Sequence, residues 1–174
     1  MIEVLWHGRG GQGAFTAARL LGAAAAYGEG RFSLAFPSFG PERRGAPMRA
    51  FTKIDREPIG DRSAIVRADF AVYLDDSLVG ADWAGELKTG GIAIVNSERS
   101  FDDPRIASID ANGESSAAFG RPIPNTVLLG ALSALCDEVS ESDLEHAIRD
   151  YMPKKLHEGN IALVHGAAKE MRGR

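Results

Sequence analysis

Six residues near the start of the chain, Gly8-Arg9-Gly10-Gly11-Gln12-Gly13, follow a short apolar run from Ile2 to Trp6 and lead into an alanine-rich stretch. Glycines at 8, 10 and 13 have the spacing of a strand-to-helix turn that receives a dinucleotide. Such a turn offers anion binding, because it exposes backbone N–H groups and the positive end of the next helix to a diphosphate. Close packing of strand on helix needs the same glycines, so the residues alone leave anion contact and a purely structural turn evenly weighted. A nicotinamide dinucleotide would also need an acidic side chain at the end of the second strand, about 20 residues on, for its ribose hydroxyls. That position falls at Phe36-Pro37-Ser38, and the nearest carboxylate, Glu29, precedes the strand. A free-standing NAD(P)-binding dehydrogenase is therefore the second reading, and a scaffold that binds no small molecule is the third.

A second group lies in Pro37-Ser38-Phe39-Gly40-Pro41-Glu42-Arg43-Arg44-Gly45-Ala46-Pro47, where three prolines and two glycines in eleven residues preclude a regular element. Ser38, Glu42, Arg43 and Arg44 make it a docking loop, in which a carboxylate beside two guanidiniums pairs with a partner or an acidic ligand. Other reactive types have plainer readings. His7 is a hydrogen-bonded structural histidine with no carboxylate near it in sequence, and His146, His157 and His165 lack metal-ligand spacing. Cys136 is a buried small hydrophobe, and Asp75, Asp76 and Asn96 suit turns and caps. Lys154, Lys155 and Asn160 read as a solvated helix start.

The elements that must position these groups alternate. Ile2 to Trp6 reads as a buried parallel strand, followed by a helix from about Gly11 or Gln12 to Tyr27 and a strand from Phe32 to Phe36. Met48 to Ile54 alternates as a half-exposed strand near a sheet edge. Asp69 to Leu74 and Ile92 to Val95 are buried strands, separated by a short helix from Asp82 to Lys88 that Gly90-Gly91 stops. Ile106 to Ile109 is a weaker strand before the turn Asp110-Ala-Asn112-Gly113. Three helices close the chain: a buried one from Asn125 to Cys136, one capped by Ser140 with Asp143 three residues on, and one from about His157 to Met171. This order predicts an α/β fold, one Rossmann-like domain spanning residues 1–174, with an open, mostly parallel sheet flanked by helices.

Bulk properties narrow the function. The 174 residues are 44 % hydrophobic and 25 % charged with a net charge of -4, ordinary for a soluble globular protein and unsuited to nonspecific nucleic-acid binding. The longest apolar stretch, Leu20 to Tyr27, is interrupted by Gly22 and falls short of the roughly 18 to 20 residues of a membrane span. The amino end lacks a basic secretory region, so a cytoplasmic location is expected. With Cys136 as its one cysteine, the chain holds neither an internal disulfide nor a four-thiolate cluster of its own.

Taken together, Gly8 to Gly13, Phe36 to Pro47 and Pro124-Asn-Thr-Val-Leu-Leu-Gly-Ala131 resemble the gamma subunit of the 2-oxoacid:acceptor oxidoreductases, the pyruvate:ferredoxin oxidoreductase family. The resemblance covers nearly the whole chain; its third motif is the weakest. It implies a cytoplasmic hetero-oligomer of anaerobic metabolism that decarboxylates a 2-oxoacid to an acyl-coenzyme A. Thiamine diphosphate with Mg2+ and [4Fe-4S] clusters would sit on alpha, beta and delta type chains, and electrons would pass to ferredoxin or an NAD-linked acceptor. This chain would be the non-redox subunit, with no catalytic residue and no metal ligand of its own. Gly8, Arg9, Gly10, Gly11, Gln12 and Gly13 would face coenzyme A or another anion, and Ser38, Glu42, Arg43 and Arg44 would fix the alpha chain. No Gly-Asp-Gly followed by Asn-Asn, the pattern that holds thiamine diphosphate through a metal, occurs in the sequence.

Overall fold

The computed structural model describes residues 1–38 and 44–174. Its six strands are β1 (Ile2–Arg9), β2 (Phe32–Pro37), β3 (Pro47–Asp55), β4 (Ala68–Tyr73), β5 (Leu87–Asn96) and β6 (Ile106–Ile109). They form one open sheet in the order β2-β3-β1-β4-β5-β6. The pairings of β1 with β4, β4 with β5 and β5 with β6 are parallel, whereas β3 is antiparallel to both its neighbours. Only β3 therefore runs against the rest, and the mostly parallel α/β expectation holds. The helices are α1 (Ala14–Tyr27), α2 (Ala111–Phe119), α3 (Asn125–Ser133), α4 (Glu141–Tyr151) and α5 (His157–Arg172).

Alternation along β1 separates two cores. Val4 and Trp6 join the main apolar cluster with side chains of all five helices, while Leu5 faces the other way onto Phe51 and Ile65. The alanines of α1 let it lie close on the sheet: Ala14, Ala17, Ala18, Ala24 and Ala25 are fully buried. The buried indole of Trp6 donates to Thr52 Oγ1 at 3.1 Å, and that hydroxyl donates to the Ala18 carbonyl at 2.9 Å, joining β1, β3 and α1. Among the described residues the opposite face carries no α-helix. It is covered by the irregular segment 56–67 through Ile65 and by the connection from β4 to β5 through Leu78, Val79 and Trp83.

Four expectations need correction. β3 does lie next to the edge strand β2, but it is buried from Ala50 to Ile54 and not half-exposed, and Lys53 is fully buried because Asp61 at 2.6 Å and Glu3 at 3.7 Å neutralise it. The Lys53 hydrogen bond, with two from Ser63, holds the Asp61 carboxyl well below the usual range. No helix spans residues 82–88: a 3-10 turn over Trp83–Glu86 gives way to β5 at Leu87. Gly90-Gly91 lies inside that strand, at an irregularity in register, where a Cβ on Gly91 would meet the Ala68 carbonyl at 2.9 Å. Asp110 caps α2, which replaces the expected turn, by accepting from the Gly113 N–H at 2.7 Å. α3 ends at Ser133, leaving the buried Cys136 beyond it.

The capping box at Ser140 and Asp143 forms as anticipated. α3 is buried from Asn125 to Leu132 and lies so close to α5 that a Cβ on Gly130 would stand 2.3 Å from the Val164 carbonyl oxygen. Helix backbones meeting at that distance have no room for a methyl. Gly130→Ala should thus cost about 1 to 3 kcal/mol in denaturant unfolding through overpacking, and an unchanged midpoint would contradict the contact. A second prediction concerns Glu114 on α2, whose carboxyl is pushed up to about 7 by burial and by its neighbour Glu170. Between the ordinary 4.5 and about 7 the folded chain binds more protons than the unfolded one, so this group makes stability fall as pH rises through that window. Glu114→Gln should therefore stabilise the chain at about pH 8 and lose that advantage at about pH 4, as read by thermal unfolding.

Candidate functional site

Three sequence-distant segments meet at the end of β1. Gly10 bridges to Arg44, with the Gly10 N–H donating to the Ala46 carbonyl at 2.9 Å and the Gly45 N–H to the Gly10 carbonyl at 3.0 Å. Gly13 adopts φ 87° and rests on Asn125, the first residue of α3, where a Cβ would come within 2.7 Å of Asn125 Nδ2. A Cβ on Gly8 would likewise stand 2.9 Å from that of Ala14. The glycine turn therefore touches both of the other motifs singled out in the sequence. Asn125 is held in turn by its neighbour Thr126, whose hydroxyl donates to Asn160 at 2.7 Å. Asn160 is thus a buried link between α3 and α5 and not part of a solvated helix start.

Arg9 fastens the arrangement. Its Nε donates to Asp75 Oδ2 at 2.9 Å, Nη2 to Ser77 Oγ at 2.9 Å and Nη1 to the Gly45 carbonyl at 3.2 Å. Gln12 closes the turn beneath it, accepting from the Arg9 N–H at 2.7 Å and donating to Asp75 Oδ2 at 3.3 Å. Burial opposes the charge on Asp75, but hydrogen bonds from Ser77, Arg9 and Gln12 prevail and hold its carboxyl below the usual range. Arg9 and Gln12 are thereby occupied within the chain.

A cleft of about 1370 Å³ opens beside this junction. One wall is the start of α1, where Gly13, Ala14, Phe15 and Thr16 face the space and no side chain caps the helix. The Gln12 N–H donates to the Arg9 carbonyl at 3.0 Å and the Ala17 N–H to that of Gly13 at 2.9 Å, so the N–H groups of residues 13–16 between them stand at the positive end of the helix, beside the cleft. Ser38 and Arg44 form a second wall, flanking residues 39–43; the expected interface residues Glu42 and Arg43 lie outside the described residues. The third wall, from Leu78 to Glu86, includes Trp83. Gly10 and Gly11 line the cleft too, whereas Gly8 and Gln12 lie behind it.

At the floor is a cluster that the sequence did not reveal. His7 stacks on Tyr73 with centroids 4.4 Å apart and planes 2° from parallel. The Tyr73 hydroxyl donates to Glu86 Oε2 at 2.8 Å, and Arg49 pairs with Oε1 at 3.2 Å. His7 Nε2 lies 2.8 Å from Oε2 but is not aligned for a hydrogen bond, so this buried nitrogen has no aligned partner among the described residues. Burial works against ionisation of Glu86, yet contacts with His7, Tyr73 and Arg49 bring its carboxyl below the ordinary value. The cleft therefore sets a fixed anion at its floor against helix donors and Arg44 on its walls. His7 and Tyr73 stand near the carboxyl ends of neighbouring parallel strands, the one signal that favoured them; Glu86 had none.

Among the described residues no group of His, Cys, Asp or Glu is arranged to hold a metal, and no helix is long and apolar enough to cross a membrane.

Comparison with known proteins agrees with this architecture. Residues 3–170 match the family model for pyruvate ferredoxin/flavodoxin oxidoreductase. The pyruvate synthase subunit PorC of Methanothermobacter thermautotrophicus is 43 % identical over 174 residues, which cover 98 % of this chain and 96 % of that one. The pyruvate/ketoisovalerate oxidoreductases common subunit gamma of Thermococcus kodakarensis is 44 % identical over 170 residues, 92 % and 91 % of the two chains. The crystal structure of pyruvate oxidoreductase subunit PORC from Thermotoga maritima superposes with a TM-score of 0.83 at 32 % identity, covering 97 % of this chain and 95 % of that one. With the glycine turn in contact with both residues 44–46 and α3, and nearly every residue inside the match, the chain belongs to the pyruvate ferredoxin/flavodoxin oxidoreductase family, as a gamma-type subunit of a 2-oxoacid oxidoreductase.

Proposed function

We propose that this subunit supplies the coenzyme A side of the complex: its cleft receives the nucleotide end of coenzyme A, and the loop from Ser38 to Pro47 seats the alpha-type chain against it. The uncapped start of α1 beside Arg44 carries this reading, because it gathers backbone donors, a helix dipole and a guanidinium around a space large enough for a nucleotide. The chain's part in the reaction is to bind and orient the thiol co-substrate. Its backbone amides and Arg44 hold phosphates while partner chains carry out decarboxylation and electron transfer.

Thiamine diphosphate with Mg2+, which makes a 2-oxoacid decarboxylate, and the [4Fe-4S] clusters that take the electrons belong in this proposal to alpha, beta and delta type partners. The donor set of the chain agrees: it has one cysteine, which is buried, and burial pushes that thiol up and away from a ligating thiolate. Transfer to ferredoxin and a cytoplasmic setting are part of the same proposal.

The free-standing dehydrogenase reading finds no support at the end of β2, where no acidic side chain stands for a ribose. Purification of the native complex separates the two readings, since this chain should copurify with chains bearing thiamine diphosphate and clusters. A chain isolated alone that reduces a substrate with bound NAD(P) would refute the proposal. Arg44→Ala, which removes one cation from an exposed wall, should raise the KM for coenzyme A by about three- to tenfold in an assembled complex. Replacing Arg43 should instead weaken association with the alpha-type chain, read by gel filtration. An unchanged KM for the first and intact assembly for the second would contradict the assigned roles.

A further inference from the structure

The glycine turn accounts for an anion at one wall of the cleft. It does not account for the floor, where an ionised carboxylate is held by three side chains from three strands. Tyr73 and His7 are nearly inaccessible, and the Glu86 side chain is 24 % exposed, facing the cleft. A carboxylate that merely tethered the 3-10 turn would need one partner. Glu86 has Tyr73 and His7 at one oxygen and Arg49 at the other, the support that fixes a binding group's orientation.

A fixed carboxylate repels phosphate and attracts neutral hydrogen-bond donors. A nucleotide presents both kinds of group, phosphates and, on its sugar and base, hydroxyl and amino donors. A nucleotide-binding fold ordinarily places the sugar-reading acid at the end of its second strand, the position where this sequence has Phe36-Pro37-Ser38. Glu86 brings a carboxylate to the same cleft from the connection between β4 and β5.

We propose that Glu86 is the nucleoside-reading residue of the cleft, accepting a hydrogen bond from a sugar hydroxyl or base amino group while the phosphates lie on the start of α1. His7, Tyr73 and Arg49 are positioning residues that hold its carboxylate toward the ligand. The assignment rests on the coenzyme A reading above and adds to it the orientation of the ligand: nucleoside to the floor, phosphate to the helix. It also sets a class of ligands whose binding does not depend on Glu86. An anion without donors, such as pyrophosphate, gains nothing from Glu86.

The test uses the assembled, thiamine-loaded complex, in which any thiamine site is already filled. Binding of coenzyme A, adenosine 3′,5′-bisphosphate and inorganic pyrophosphate is measured for the wild type and for Glu86→Gln. The variant should bind the first two about tenfold or more weakly, the usual effect of a lost charge-assisted hydrogen bond, and pyrophosphate within about twofold of wild type. In turnover it should raise the KM for coenzyme A in step with the loss of binding. Tyr73→Phe should shift the same two ligands in the same direction by less. Wild-type affinity for coenzyme A in Glu86→Gln overturns the assignment. So does an equal loss for pyrophosphate, which would make the cluster a clamp on the turn, or a loss for coenzyme A but not for the bisphosphate, which would place the contact elsewhere on the ligand. If the wild-type complex itself binds neither nucleotide, the coenzyme A reading falls first, a result that Glu86→Gln cannot imitate.

Discussion

One guanidinium holds the site together. Arg9 leaves the end of β1 and divides its donors among Asp75 after β4, Ser77 in the following turn and the carbonyl of Gly45, near the end of the proline-rich loop. Two connections distant in sequence, β2 to β3 and β4 to β5, are thus fixed to one planar fork at the end of β1, the geometry at which arginine exceeds lysine. With Gln12 bonded to the same Asp75, the glycine turn cannot relax into the cleft, and the uncapped start of α1 keeps its donors turned outward. The residue most suggestive of an anion ligand in the sequence instead builds the cavity in which an anion can be held.

The fold makes that arrangement affordable in sequence terms. Packing of the five α-helices against one face of the sheet leaves the other face, among the described residues, to irregular chain and 3-10 turns, and the cleft forms where that chain meets the carboxyl end of β1 and the start of β3. Small residues are the common device. Alanines bring α1 onto the sheet, Gly8 lets β1 approach Ala14 at its start, Gly13 lets that start rest on Asn125, and Gly130 brings α3 against α5. Each close approach shortens the path between a motif and the cleft, so that the third motif, which reads in sequence as an ordinary apolar helix, supports the first.

The sequence was informative where the determinant is local. Strand and helix alternation, the cap at Ser140 and the turn at Gly8 to Gly13 rest on neighbouring residues, and their patterns are strong. It was misleading where a distant partner reverses a local preference. Lys53 alternates as an exposed residue until Asp61 and Glu3 neutralise it in the interior. Gly90-Gly91 reads as a stop, but it sits at an irregularity between paired strands. α2 is a helix with Asn112 and Gly113 in its first turn, residues that favour turns, and it forms because Asp110 caps it and Ala111 is buried in the core. The floor of the cleft is the extreme case: His7, Arg49, Tyr73 and Glu86 come from four elements, and no spacing links them.

The central claim is that the start of α1 receives the anionic end of coenzyme A. Hydrogen exchange of the backbone amides from Gly13 to Thr16, followed in the assembled complex with and without coenzyme A, tests it most directly. Amides that lack a carbonyl partner exchange quickly until a ligand covers them. The account predicts slowed exchange over this stretch on addition of coenzyme A, with the interior of α5 unaffected. Exchange that is the same with and without saturating coenzyme A would contradict it.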